Sequence, residues 1–302
     1  MHTRVSVIVP AWNAERTIEQ AIRSALGQTL KDLEVIVIDD GSKDGTADVV
    51  RRIAAEDERV RLLQNEVNRG PSAARNLGLR EARGDWIAIL DADDFFIRED
   101  RLERLIAIGE EYGADIVADD IYQFKDGDTR CLSMFKERGI NINYPLEINL
   151  DFFIGRDLGY FKPIFRAKFI KDKSIEYNEN LIIREDFVFI LELMLNGANF
   201  FLYPEAGYAY RRHQESIQVK IYNEKETINK ESIEYIKDIL NNPKIDKNVR
   251  KSLARYIILA EYYRFVSMIK RKKFLDSITI IKENPGVISF ILKRVFKKIK
   301  PK

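Results

Sequence analysis

A chain of 302 residues, 45% hydrophobic and 11% aromatic, has ample material for a full core, so a disordered polymer is excluded. One cysteine, Cys131, excludes an internal disulfide and any multi-cysteine metal site, and two histidines, His2 and His213, leave no histidine-rich zinc centre. The net charge of +2 hides an uneven split, because residues 220–302 carry 21 Lys and Arg against 9 Asp and Glu.

In chain order, Val5-Ser6-Val7-Ile8-Val9 reads as a buried strand expected to stop at Pro10. After Ala11-Trp12-Asn13-Ala14-Glu15 comes a helix with Ile18, Ala21, Ile22 and Ala25 on one face. Leu33 to Ile38 is a second buried strand ending in Asp39-Asp40-Gly41-Ser42, a helix starts near Thr46, and Val60 to Leu63 is a third strand. Asn68-Arg69-Gly70-Pro71 opens a helix through Arg75 and Asn76. This alternation with short connections predicts a parallel, nucleotide-binding α/β sheet.

The next strand, Trp86-Ile87-Ala88-Ile89-Leu90, runs abruptly into Asp91-Ala92-Asp93-Asp94. Alternation along a strand would put Asp91 and Asp93 on one side, roughly 7 Å apart, where the strand leaves the core. Ligands of open α/β sheets collect beyond the carboxyl ends of strands, so this pair is a candidate site for a divalent metal shared with a phosphorylated substrate. The competing reading is a solvated acidic turn.

A helix over 98–112 and a strand near 115–118 continue the alternation, whereas 122–157 is irregular and polar, as expected of loops over an acceptor cleft. Glu185-Asp186 begins a helix with Phe187, Ile190, Leu191, Met194 and Leu195 on its apolar face, closed by Asn196-Gly197. Phe200 to Leu202 reads as a strand, followed by a Pro and Gly turn and Tyr208-Ala209-Tyr210-Arg211-Arg212-His213. The chain beyond is helical, so the reading is a catalytic domain over 1–218 and a basic helical extension over 219–302.

Val5-Ser6-Val7-Ile8-Val9-Pro10-Ala11-Trp12-Asn13, Val37-Ile38-Asp39-Asp40-Gly41-Ser42, Asn68-Arg69-Gly70 through Arg75-Asn76, and Leu90-Asp91-Ala92-Asp93, in this order, resemble family 2 glycosyltransferases of the GT-A fold. Gly159 through Arg166, Arg184-Glu185-Asp186 and Pro204 through Tyr208 look like the succinoglycan-type exopolysaccharide enzymes. The resemblance implies a Rossmann-like nucleotide-diphospho-sugar transferase with a mostly parallel central sheet. It implies an inverting, metal-dependent hexosyltransferase that moves one sugar from a UDP-sugar to an oligosaccharide or lipid-linked acceptor. Asp93 is then the metal ligand, with Mg²⁺ or Mn²⁺, while Asp91 contacts ribose or bridges through water and His213 is a candidate third ligand. Asp186 is the general base, with Glu185 as the other candidate; the competing role for either acid is to cap its helix.

Donor recognition falls by the same resemblance to Pro10, Ala11 and Trp12 for the base, to Asp40 or Asp39 for a ring N–H, to Asn13 and Glu15 for the ribose or the loop, and to Asp91 with Ala92. Arg75 reaches the base or diphosphate, or else ties its helix to Asp91; Asn13 has a helix cap as its other reading. Arg211 and Arg212 are further phosphate candidates. A nucleotidyltransferase would show a Gly-rich, basic loop after the first strand, where this chain has Trp12-Asn13-Ala14-Glu15. An inactive sugar-nucleotide-binding scaffold is the other alternative, with intact Asp91, Asp93 and Asp186 against it. Processive synthases carry transmembrane helices and Gln-x-x-Arg-Trp, and this sequence has neither.

Residues 287–300 set Ile288, Ile291, Leu292, Val295 and Ile299 on one stripe among Lys293, Arg294, Lys297, Lys298 and Lys300. Such a segment either lies peripherally on an anionic membrane or packs on the catalytic domain. No nucleic-acid recognition motif accompanies it. No signal peptide and no apolar run near ~18 residues is present, which predicts a cytoplasmic chain, peripheral at most on the inner face of the plasma membrane.

Overall fold

In the computed structural model, which describes residues 2–127, 131–181, 183–212, 227–243, 245–270 and 272–291, the apolar runs become strands of one sheet. The chain divides into two units, Met1–Asn149 with Arg156–Ser216, and Leu150–Gly155 with Ile217–Lys302.

In the first unit β1 (Val5–Ala11), α1 (Ile18–Leu26), β2 (Leu33–Asp39), α2 (Thr46–Glu56), β3 (Val60–Gln64), α3 (Pro71–Glu81) and β4 (Trp86–Ile89) alternate as the sequence predicts. β5 (Phe95–Phe96), α4 (Arg101–Glu111), β6 (Ile116–Phe124), β7 (Leu132–Ser133), α5 (Met134–Glu137) and β8 (Leu146–Ile148) come next. The short helix α6 (Leu150–Arg156) leads to β9 (Ile164–Arg166), α7 (Ala167–Lys173), α8 (Glu185–Leu195) and β10 (Phe200–Arg211). The sheet order is β3-β2-β1-β4-β9-β6-β10-β5, with β7 on β6 and β8 on β10. β3, β2, β1 and β4 are mutually parallel, and β9 is antiparallel to both β4 and β6. β6 and its parallel neighbour β10 therefore run the same way as the first four.

The runs Val5–Val9 and Leu33–Asp39 are buried on both faces because helices cover each side, as a parallel sheet requires. α1 buries Ile18, Ala21, Ile22 and Ala25, the four residues its periodicity selects. α3 lies close on β1 because residue 78 is glycine: a Cβ there would stand 2.4 Å from Ile8 Cγ2. That close approach brings Arg75, one turn earlier on α3, to the exit of β4.

Three local readings are corrected. β1 does not stop at Pro10 but continues to Ala11, since its pairing with β4 ends at Ile8 and a missing N–H is tolerated along the open edge. Pro204 through Gly207 form irregularities within β10 instead of a turn, with register shifts between Tyr203 and Tyr208. Gly207 suits that spot, because a Cβ would meet Asp119 Oδ2 at 2.4 Å. The third correction concerns the acidic motif: β4 ends at Ile89, and the Asp94 N–H donates to the Asp91 carbonyl at 3.0 Å. Asp91 and Asp93 therefore stand on a turn, and strand alternation does not relate them.

The second unit joins residues 150–155 to α9 (Thr227–Asn241), α10 (Lys247–Lys270) and α11 (Phe274–Glu283). α9 packs on α10 and α10 on α11, with Met268, Ile280 and Val287 forming a buried cluster against Tyr262, Phe265 and Ile291. The Ser252 hydroxyl bonds the Asp151 carboxylate. Among the described residues no helix is long and apolar enough to cross a membrane. Most of the predicted basic stripe over 287–300 lies outside the described residues.

Candidate active site

Four segments meet beyond the end of β4: the Asp91–Asp94 turn, α3, the residues before β9, and the start of α8. Arg75, only 4% exposed, is the hub. It donates from Nη2 to Asp91 Oδ1 at 3.1 Å and from Nη1 to Glu185 Oε1 at 3.0 Å, and the same Nη1 lies 3.7 Å from Asp186 Oδ1. Tyr177 lies beneath its guanidinium and stacks on Phe189. Of the readings open for Arg75, the tie to Asp91 is the one observed, extended to the α8 acids.

Lys162 is the residue that sequence reasoning left without a role. Its ammonium donates to Asp186 Oδ2 at 2.7 Å and lies 2.8 Å from Asp91 Oδ2, joining the turn after β4 to the start of α8. The Lys162 carbonyl accepts from Arg101 Nη2 at 2.7 Å, and Arg101 is itself gripped by both oxygens of Asp119. The sequence did carry a signal: a lone charge inside Phe161-Lys162-Pro163-Ile164-Phe165 can be buried only if it is paired.

Three carboxylates and two cations thus share one partly closed space. Burial on its own would raise the Asp91 carboxyl, but Lys162 and Arg75 overcome it and hold that group well below the ordinary carboxylate range. Burial, then the neighbouring Asp186 charge, raises Glu185. Burial opposes the charge on Lys162, yet Asp186 and Asp91 push its ammonium well above its usual value. Neither Glu185 nor Asp186 caps α8; the Arg184 position before it is left-handed and makes no side-chain cap.

The acidic turn is braced from β10. The Tyr208 hydroxyl donates to Asp94 Oδ2 at 2.8 Å and accepts the Asp91 N–H at 3.2 Å, while the Arg211 N–H donates to Asp94 Oδ1 at 2.8 Å. Arg211 Nε donates to the Asp93 carbonyl at 2.8 Å and Nη2 to Gln20 at 2.6 Å. Arg211 is therefore a brace for the turn instead of a free phosphate contact; Arg212 is exposed. Ala92 is buried within the turn. Burial, then the charges of Asp93 and Asp91, pushes Asp94 well above the usual carboxylate value. Asp93, half-buried on this turn, is a hard oxygen donor, and Mg²⁺ or Mn²⁺ accepts one or two such carboxylates together with phosphate oxygens and water, so the residues present fit such an ion. Among the described residues no three acidic, histidine or cysteine side chains converge on a metal position, and His213 lies outside them.

The two loops of the nucleotide end are tied together. The Asn13 N–H donates to Ser42 Oγ at 2.9 Å, and Asn13 Oδ1 accepts the Lys43 N–H at 2.8 Å. Asn13 therefore joins loops and does not cap α1, which begins at Ile18. Glu15 accepts the Gly45 N–H at 3.2 Å. The Ala11 carbonyl accepts the Asp40 N–H at 2.8 Å; Pro10 is half-buried, and Trp12, 48% exposed, stands open at the end of β1.

Asp40 is already engaged. Its oxygens accept Asn65 Nδ2 at 2.8 Å, the Arg69 N–H at 3.0 Å to each, and the Gly70 N–H at 2.7 Å. Those three donors make Asp40 the anchor of the 68–70 loop, with one acceptor position of its carboxylate still to spare. Asp39 accepts one donor per oxygen, Ser42 N–H and Gln64 Nε2 at 3.1 Å each, and keeps capacity.

Lys162→Met should leave Asp91 and Asp186 facing each other with Arg75 alone between them. Removing one partner of a buried ion pair costs about 3 kcal/mol, to be read by urea unfolding. Adding Asp91→Asn should recover part of that loss, a coupling absent if the lysine were a solvated bystander.

The sheet and the braced acidic turn together are those of a GT-A glycosyltransferase. Two solved structures share this fold: TarS 1–349 of S. aureus in complex with UDP-GlcNAc, 21% identical with TM-score 0.68 over 94% of this chain and 92% of that one, and the Pyrobaculum calidifontis mannosyltransferase PcManGT with GDP-Man and Mn²⁺, 16% identical with TM-score 0.63 over 100% and 82%. The description Glycosyl transferase family 2 matches residues 6–172, and the chain belongs to that family. It is 39% identical over 219 residues to the succinoglycan biosynthesis protein ExoO of Rhizobium meliloti, covering 70% of this chain and 62% of that protein. It is 27% identical to a Campylobacter jejuni GalNAc(5)-diNAcBac-PP-undecaprenol beta-1,3-glucosyltransferase, over 96% of this chain and 93% of that one. The chain thus spans less than two thirds of the ExoO length.

Proposed function

We propose that the chain is an inverting glycosyltransferase that moves one hexose from a UDP-sugar to a hydroxyl of an oligosaccharide, lipid-linked on the cytoplasmic side of the membrane, in making an exopolysaccharide or surface polysaccharide. The observation that carries this reading is the convergence of Asp186 and Glu185 on the Asp91–Asp94 turn through Arg75 and Lys162. UDP-GlcNAc in TarS and the undecaprenol-linked acceptor named for the Campylobacter relative support the two substrates.

In this reading the acceptor oxygen attacks C1, the C1–O bond to the diphosphate breaks with its electron pair leaving on UDP, and the hydroxyl proton passes to Asp186. Lys162 and Arg75 hold Asp186 and Glu185 in register with Asp91, so the base needs no search. Asp93, with Asp91 behind it, would hold a divalent metal, which when bound would neutralise the charge that builds on the departing diphosphate. Asp40 or Asp39 takes the uracil N–H, and Trp12 offers a face for the base to stack on.

The test is a screen of UDP-sugars for UDP release with extracted lipid-linked saccharides as acceptors, with and without Mn²⁺. Metal-stimulated release from one donor is expected. A chain that binds UDP yet releases none with any donor, or that couples a nucleotide to a sugar phosphate, would refute the reading.

A further inference from the structure

The turn between α10 and α11 has a chemistry that neither the sheet nor the site uses. Four basic residues in succession, Lys270-Arg271-Lys272-Lys273, run directly into Phe274-Leu275, and no acid occurs from Tyr262 to Leu275. Phe274 is 57% exposed and Leu275 82%, with Ile278 one turn on at 47% and Ile269 before the turn at 38%. Lys272 and Lys273 are exposed beside them. The helix does have a buried side: Ser277 and Ile280 face inward, Ile280 within the cluster of Met268 and Val287. The outward apolar side chains are thus surplus to the helical core, and large apolar groups left in water at a basic tip mark an interaction surface.

We infer that the Lys272-Lys273-Phe274-Leu275 tip is a membrane-docking surface, with Phe274, Leu275 and Ile278 entering the acyl boundary of an anionic bilayer and Lys272 and Lys273 lying among its headgroups. Charge selects this occupant. A second copy meeting the patch through a two-fold axis would set the basic run against itself, a like-charge arrangement that costs affinity. Residues 292–302, which lie outside the described part, carry six Lys and Arg and no acid, so they are like-charged as well. A bilayer rich in anionic lipid offers both what the lysines attract and what the apolar side chains need. The tip lies in sequence before the 287–300 stripe and is independent of it. The inference adds a location to the lipid-linked acceptor reading but needs no donor, acceptor or metal, so each stands or falls separately.

The experiment is co-sedimentation of the full chain with vesicles of phosphatidylcholine containing about 30% phosphatidylglycerol, against pure phosphatidylcholine. Binding only to the anionic vesicles, weakened by added salt, is expected. Lys272→Glu with Lys273→Glu, and separately Phe274→Glu with Leu275→Glu, should each reduce binding by at least about tenfold. Thermal unfolding should not change, since these side chains are exposed. The inference is overturned if the wild-type chain ignores anionic vesicles, or if both double variants bind them as the parent does. It is equally overturned if light scattering shows a dimer that Phe274→Glu with Leu275→Glu dissociates while vesicle binding is absent.

Discussion

Asp186→Asn is expected to lower the transfer rate about a thousandfold while donor affinity changes by less than about threefold. The amide keeps the shape and still accepts from Lys162, which lies 2.7 Å from the carboxylate it replaces, so the site should stay assembled. What it loses is the ability to take the acceptor proton in the transition state. An interaction made only there lowers kcat and kcat/KM together and leaves ground-state binding alone. Single-turnover UDP release gives the rate, and calorimetric titration with UDP gives the affinity. Glu185→Gln is the comparison: Glu185 bonds Arg75 at 3.0 Å, and its replacement should act through that tie with a smaller loss of rate. A larger loss from Glu185→Gln than from Asp186→Asn would exchange the two assignments.

Asp93→Ala has the second large effect, at the binding step. The parent should bind UDP about a hundredfold more tightly with Mn²⁺ than with chelator, a difference typical of a metal shared with phosphates. The variant should bind equally under both conditions, at the parent's chelator value. The fold should survive, because the turn is held through its backbone and Asp94: Arg211 grips the Asp93 carbonyl, and Tyr208 and the Arg211 N–H hold Asp94. A variant still stimulated by Mn²⁺ would move the metal away from Asp93.

These expectations show which parts of the protein were legible in its sequence. The alternation from β1 to β4 could be read because a strand buried on both faces is a short continuous apolar run, and its end is marked by Pro, Gly or Asp. Asp91 stands out because it follows such an end, and Asp186 because it opens a helix with an apolar face. The details failed where long-range pairing decides. Asp40 looks like a free acceptor until the 68–70 loop closes over it with donors from residues 25 to 30 positions away. Lys162 looks unremarkable until β9 inserts antiparallel between β4 and β6 and sets it beside Asp91, 71 positions earlier. Arg211 looks like a phosphate ligand until β10 runs through its irregularities and directs it at the Asp93 carbonyl. Local patterning cannot report a partner that arrives from another strand.

The central claim is that the leaving diphosphate lies at Asp93 while a separate carboxylate, Asp186, faces the sugar carbon. The most direct measurement is a crystal structure of the Asp186→Asn variant with Mn²⁺ and the UDP-sugar that the release screen selects. The account predicts a metal at Asp93 beside the phosphates, uracil beside Trp12 and Asp40 or Asp39, and the 186 side chain on the face of C1 opposite the diphosphate. Phosphates seated away from the 91–94 turn, or a C1 shielded from residue 186, would contradict it.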